Sequence, residues 1–200
     1  MIELPQRLAL FADAHGHTEL VEAALRICKH EHVRGVILLG DLIDRPDQAD
    51  ACARALAGWE VHGVYGNHEQ ELMDALITGA DLGLQRETID LFLNLEATII
   101  FGDVCFCHDE PAEAPRDEIE VSTFVNRATM PTALPYHIIF SGHTHFRHAR
   151  NEFGPIDLST GVVYLRPNRK YSINPGALTM GHFAIWDRER AQVRFYTARP

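Results

Sequence analysis

Three short apolar runs early in the chain, each followed by a helical pattern, constrain the fold more than any other feature of the sequence. LALFA at 8–12 stops at Asp13, VILLG at 36–40 stops at Asp41, and VHGVYG at 61–66 stops at Asn67. After them come a face of Leu20, Ala23, Ala24 and Ile27, then the Ala-rich DQADACARALAGW, then EQELMDALI. Strands and helices alternating at this spacing predict a largely parallel sheet, whose binding crevice lies beyond the C-terminal ends of its strands. Residues 84–93 predict a further helix through Leu84, Ile89, Leu91, Phe92 and Leu93.

The texture then changes. ATIIFGDVCFCHD reads as a hairpin turning at Gly102-Asp103, HIIFSG at 137–142 is another apolar strand, and GVVYL, YSINPG and FAIWDRERAQVRFY are β-like with turn residues between them. Residues 111–117 form a Pro- and acid-rich stretch without periodicity. The expected architecture is α/β: a four-layer α/β/β/α sandwich of two mixed sheets with flanking helices, built as one domain over residues 1–200.

A formal charge of −10 argues against binding a nucleic-acid polymer by neutralising its phosphates, which needs a surplus of Lys and Arg. An anionic substrate must then be attracted locally, and a bound cation is the obvious means. Cys28, Cys52, Cys105 and Cys107 lack C-x-x-C spacing and read as buried free thiols. The apolar run before Asp13 is too short for a signal peptide or a membrane span, so a cytoplasmic, reducing location is expected.

The apolar strands share one habit: they end in residues that bind metal. The segments are Asp13-Ala14-His15, Gly40-Asp41-Leu42-Ile43-Asp44, Gly66-Asn67-His68-Glu69, Cys107-His108-Asp109 and Gly142-His143-Thr144-His145. A single Asp or His after a strand is usually a cap or turn residue. Five together are another matter, because strands of one sheet deliver their ends to one crevice. Asp, Asn and His ligands without Cys suit divalent ions such as manganese, iron, zinc, nickel or cobalt. The seven residues Asp13, His15, Asp41, Asn67, His108, His143 and His145 exceed the roughly four ligands of a single zinc site, which suggests two divalent ions, about 3.5–4 Å apart if a carboxylate bridges them.

These segments, in this order, resemble the motifs D-x-H, G-D-x-x-D, G-N-H-E/D, an isolated H, and G-H-x-H of the calcineurin-like metallophosphoesterase superfamily. Ile173-Asn174-Pro175-Gly176-Ala177 is similar to a segment of its small single-domain, phosphodiesterase-like branch. The resemblance implies one ion on Asp13, His15 and His145, a second on Asn67, His108 and His143, and Asp41 as the bridge. It implies hydrolysis of phosphodiesters or phosphomonoesters by metal-bound hydroxide, with His68 protonating the leaving oxygen and Asp44 orienting its ring. The substrate would be a phosphorylated small molecule or nucleotide, with a phosphoprotein as a further class.

Arg45 completes GDLIDR, which is similar to the protein Ser/Thr phosphatase branch, where this arginine grips phosphate; Pro46 departs from that branch. A Ser/Thr phosphatase-like enzyme or a dinucleoside-polyphosphate hydrolase is therefore the alternative enzyme. A non-catalytic scaffold with the same fold is the alternative from another class, and scaffold relatives lose site residues that are all present here. His30, His32, His62, His137 and His148 read as surface or capping residues, and His17 as a possible substrate contact. His182 has no chemical role legible in the sequence.

Overall fold

A computed structural model describes residues 4–110 and 134–200. The Pro- and acid-rich stretch at 111–117 lies outside the described residues. The three early cycles form as expected: β1 (Arg7–Phe11), α1 (Thr18–His30), β2 (Gly35–Leu39), α2 (Ala49–Leu56), β3 (Glu60–Val64) and α3 (Gln70–Ile77). Then come α4 (Arg86–Leu93), the hairpin β4 (Thr98–Phe101) and β5 (Val104–Cys107), and β6 (Ile138–Phe140). The rest is β7 (His148–Asn151), β8 (Gly154–Pro155), β9 (Val162–Tyr164), β10 (Tyr171–Asn174), β11 (His182–Asp187) and β12 (Gln192–Thr197). The second helix starts later than its sequence pattern suggests, because Pro46–Gln48 form a 3-10 turn before it.

The strands make two six-stranded sheets, ordered β3-β2-β1-β11-β12-β9 and β4-β5-β6-β10-β7-β8. The early strands are parallel to one another, but β1 takes β11 as an antiparallel neighbour, so the sheet is mixed rather than largely parallel. In the second sheet β5, β6 and β10 run parallel and the outer pairs antiparallel.

Alternation along each strand sorts side chains between two cores. Leu8 and Leu10 of β1, Ile37 and Leu39 of β2, Phe106, Phe140, Ile173 and Trp186 fill the space between the sheets. Ala9, Phe11, Val36 and Leu38 point the other way, onto a helical layer that presents Leu20, Val21, Ala24, Leu72 and Phe92. Each buried Leu, Ile or Phe contributes about 1.5–3 kcal/mol, so strands covered on both faces are the rigid part of the molecule. All four helices among the described residues pack on the first sheet; Cys105, Cys107 and Ile139, on the far face of the second, are buried with Leu134 and Tyr136. All four cysteines are free and buried, as expected. Among the described residues no helix is long and apolar enough to cross a membrane.

Candidate metal centre

The ends of β1, β2, β3, β5 and β6 converge as their sequence endings suggest, but the backbone does something the sequence does not announce. Asp13, His15, Asp41, His143 and His145 all have positive φ, between 47° and 66°. Non-glycine residues in the left-handed region cost of order 1–3 kcal/mol each and persist only where their surroundings hold them. Here the holding bonds are Asp13 N–H to Gly40 O (3.0 Å), His15 N–H to Asp41 O (2.9 Å), Gly142 N–H to His108 O (3.0 Å) and His143 N–H to Asp13 Oδ1 (2.9 Å). After β1, β2 and β6 the chain turns through these left-handed residues and so aims their polar side chains into the crevice. The close approach needs glycine: a Cβ on Gly40 would lie 2.3 Å from His108 Nδ1, and one on Gly66 2.1 Å from Asp41 Oδ1.

Two corners result. In the first, ligand atoms of Asp13, His15 and His145 lie within 4.8 Å of one another. His15 Nε2 stands 3.0 Å from His145 Nε2, and His145 Nε2 is 3.8 Å from Asp13 Oδ1. In the second, Asp41, His108 and His143 form a group of the same tightness. His108 Nε2 faces Asn67 Oδ1 at 3.1 Å, His143 Nδ1 at 3.1 Å and Asp41 Oδ2 at 3.3 Å. Asp41 Oδ2 also stands 3.9 Å from His15 Nε2, so this one oxygen looks into both corners.

The donor set fits a divalent cation. The His108 Nδ1–H is committed to the Leu39 carbonyl at 2.8 Å, so in the neutral ring Nε2 is a lone pair facing a carboxylate and an amide oxygen. His15 is arranged alike, its Nδ1 2.5 Å from Asp44 Oδ1. A second ring nitrogen tied to a carbonyl or carboxylate is how metal-binding histidines are oriented. Asp13 Oδ2 is buried and has no hydrogen-bond partner. Burial pushes the Asp13 carboxyl up to about 6 despite the pull of His108 and the His143 N–H. Positive charge is what this oxygen lacks. Burial works against a charged His108, yet the hydrogen bond and charge of Asp41 outweigh it and hold the imidazole above its ordinary value. His145 moves the opposite way, lowered by burial and then by His15.

His68 stands beside these corners. Its Nδ1 is 3.0 Å from Asp44 Oδ1, its backbone N–H donates to Asp41 Oδ1 at 3.1 Å, and its ring meets His15 edge-on at 4.7 Å. Asp44 thus touches two histidines through one oxygen, His15 as well as the expected His68. The structure does not bring Arg45 to the cluster: its guanidinium is exposed and forks onto Asp47, at 3.0 and 3.1 Å. His17 is exposed and pairs with Glu19 at 2.9 Å. His148 is less superficial than expected, with Nδ1 on the Phe146 carbonyl, a buried Nε2 without a hydrogen-bond partner, and burial lowering its pKa to about 4. His182 has a buried Nδ1, also without a hydrogen-bond partner, and burial lowers its pKa.

Two buried residues that sequence reasoning left without a role support the site. Asn174 donates from Nδ2 to Gly142 O (2.6 Å) and Thr144 Oγ1 (3.2 Å) and accepts the Gly176 N–H (2.8 Å), bracing the turn that carries His143 and His145. The signal was an Asn closing an apolar strand just before Pro-Gly. Thr144, between the two histidines, is thereby part of the brace. Glu69 is the second, a fully buried carboxylate behind His68.

Known proteins share this plan. The sequence matches the Calcineurin-like phosphoesterase superfamily domain over residues 7–190. It is 24% identical over 188 residues to an uncharacterized protein of Methanocaldococcus jannaschii, covering 86% of this chain and 75% of that one. A metallophosphoesterase from Sphaerobacter thermophilus is similar in structure, with a TM-score of 0.70, 23% identity and coverage of 96% of this chain and 88% of that one. A novel archaeal phosphodiesterase superposes with a TM-score of 0.57 at 18% identity, over 96% and 99% of the two chains. The family match, together with two corners of Asp and His donors that could hold a cation, places this chain in the calcineurin-like phosphoesterase superfamily as a metal-dependent phosphoesterase.

Proposed function

We propose that the protein hydrolyses phosphodiesters or phosphomonoesters with two divalent ions, manganese foremost, and with His68 as the group that protonates the leaving oxygen. When bound, such ions supply Lewis acidity toward phosphoryl oxygens and acidify water at neutral pH. Asp13, His15 and His145 are assigned to one ion, Asn67, His108 and His143 to the other, and Asp41 to both. Only two of these seven residues are carboxylates, so a pair of divalent cations leaves the pocket net positive within a chain of formal charge −10.

The observation that carries the assignment of His68 is its pairing with Asp44. With Nδ1 held at 3.0 Å from the Asp44 carboxylate, the Nδ1–H is committed and Nε2 is left to hold or release a proton; the side chain is 40% exposed. A carboxylate partner fixes the tautomer and orientation of the ring, which a proton donor needs. The similarity to an archaeal phosphodiesterase supports diesters as the first class to try. The test is metal analysis of the purified protein followed by a panel of aryl monoesters, aryl diesters and dinucleotides on the same manganese-loaded sample. About two ions per chain with turnover of a diester or monoester is expected. Two tightly held ions with no turnover of any member would overturn the proposal.

A further inference from the structure

Beyond the pairing of Leu39 with Val64, no ladder bond joins β2 to β3, yet the two loops that follow carry residues which must meet. Asp41 and Asp44 ride on the loop after β2, Asn67 and His68 on the loop after β3. Two contacts depend on the spacing of these loops. One is Asp44 Oδ1 to His68 Nδ1, at 3.0 Å. The other is the shared approach of Asp41 (3.3 Å) and Asn67 (3.1 Å) to His108 Nε2.

Glu69 lies between the loops. Its side chain is fully buried, and its carboxylate accepts the N–H groups of Asp41 (Oε2, 2.9 Å), Gly66 (Oε2, 2.7 Å) and Ile43 (Oε1, 3.0 Å). Two donors come from one loop and one from the other, so a single side chain ties both. Only a carboxylate is suited to this position: it accepts on both oxygens and donates nothing, whereas an amide has one acceptor oxygen and would turn its NH2 toward a backbone N–H. Both oxygens are occupied by the protein itself, which leaves Glu69 no part in holding a metal or touching substrate.

We propose that Glu69 is a positioning residue, which keeps His68 against Asp44 and Asp41 beside Asn67 by clamping the loops after β2 and β3. The catalytic part of this inference rests on the reading of His68 as the proton donor; the clamp itself does not.

Glu69→Gln is the test, with two readouts on the full chain. Amide hydrogen exchange, with and without manganese, is expected to speed up at least about 10-fold at Asp41, Ile43 and Gly66, with the amides of α1 and β6 unchanged. With manganese bound, kcat for alkyl phosphoesters is expected to fall about 10- to 100-fold, in the range for lost supports of this kind, while KM stays within about 3-fold. The loss should shrink for nitrophenyl esters, whose leaving group needs little protonation. Unchanged exchange at the three amides would overturn the clamp. A kcat loss equal for all leaving groups would overturn its action through His68. If Glu69→Gln does not fold, Glu69→Asp, which keeps the charge but shortens the reach, is read the same way. His68→Ala, measured beside it, separates the two ideas: if that variant shows no leaving-group dependence, the reading of His68 has failed, and amide exchange still decides the clamp.

Discussion

The two corners of the site are made of the same residue types and differ in what stands behind them. His108 is 8% exposed in its side chain and tied to the carbonyl of Leu39, the last residue of a strand buried on both faces. His145 is 43% exposed, and His15 is held by Asp44, itself on an open loop. Burial and charge follow suit: Asp41 outweighs burial to lift His108 above its ordinary value, whereas burial and the neighbouring His15 lower His145. The deep corner borrows its geometry from the core. The shallow corner has a fully buried Asp13 but sets His145 toward solvent, and the ring of His68 lies against its His15.

Asp41 belongs to both corners, so changing it should break the distinction altogether. Asp41→Asn removes the charge shared by the two groups, and metal content is expected to collapse at both positions, with activity falling about 1,000-fold or more. Full occupancy with normal affinity would show that the corners do not share this carboxylate.

His68→Ala should act on the shallow side only. Both ions are expected to remain, while kcat falls about 100-fold or more for alkyl leaving groups and much less for nitrophenol. Metal loss in this variant would instead make His68 a ligand, a role suggested by its grouping with His15 and Asp41.

The contrast in depth is sharpened by comparing His108→Ala with His145→Ala. Each is expected to weaken one ion, but only the first strands a buried carbonyl, that of Leu39, which costs about 1–3 kcal/mol of stability. Denaturant titration of the metal-free proteins should show that loss for His108→Ala and almost none for His145→Ala. Equal losses would mean that the two corners are supported alike.

The smallest effect is expected from Arg45→Ala. The guanidinium is exposed and already paired with Asp47, and an exposed pair of this kind contributes little. A change in KM of no more than about 3-fold is expected. A rise of 10-fold or more would mean that Arg45 leaves Asp47 to grip phosphate, as the protein phosphatase resemblance implies.

Much of this was legible because strands and ligands leave short-range marks. LALFA, VILLG and HIIFSG are apolar runs that end at Asp or Gly-His, and a chain that stops an apolar strand with a polar residue must place that residue at the edge of a buried sheet. The hairpin at Gly102 was equally local, and Gly102 indeed has positive φ. The place of β11 beside β1 was not legible, since nothing in FAIWDRERAQVRFY names a partner more than 170 residues away. Arg45 shows what a motif leaves open: it suggests a phosphate contact, whereas in the fold the guanidinium pairs with Asp47, two residues on.

Residue types and their order were enough to specify two sheets, a crevice at their strand ends and seven candidate ligands, because apolar periodicity and ligand chemistry are properties of short segments. The motif resemblance already implies which ligands share a corner; which of them lie deep, and why Glu69 and Asn174 matter, came from the fold alone. Those properties depend on where carbonyls and N–H groups from distant segments end up: Leu39 against His108, Asp41 and Gly66 against Glu69, Gly142 against Asn174. Backbone groups are the same in every residue, so their partners become visible only once the chain has closed on itself.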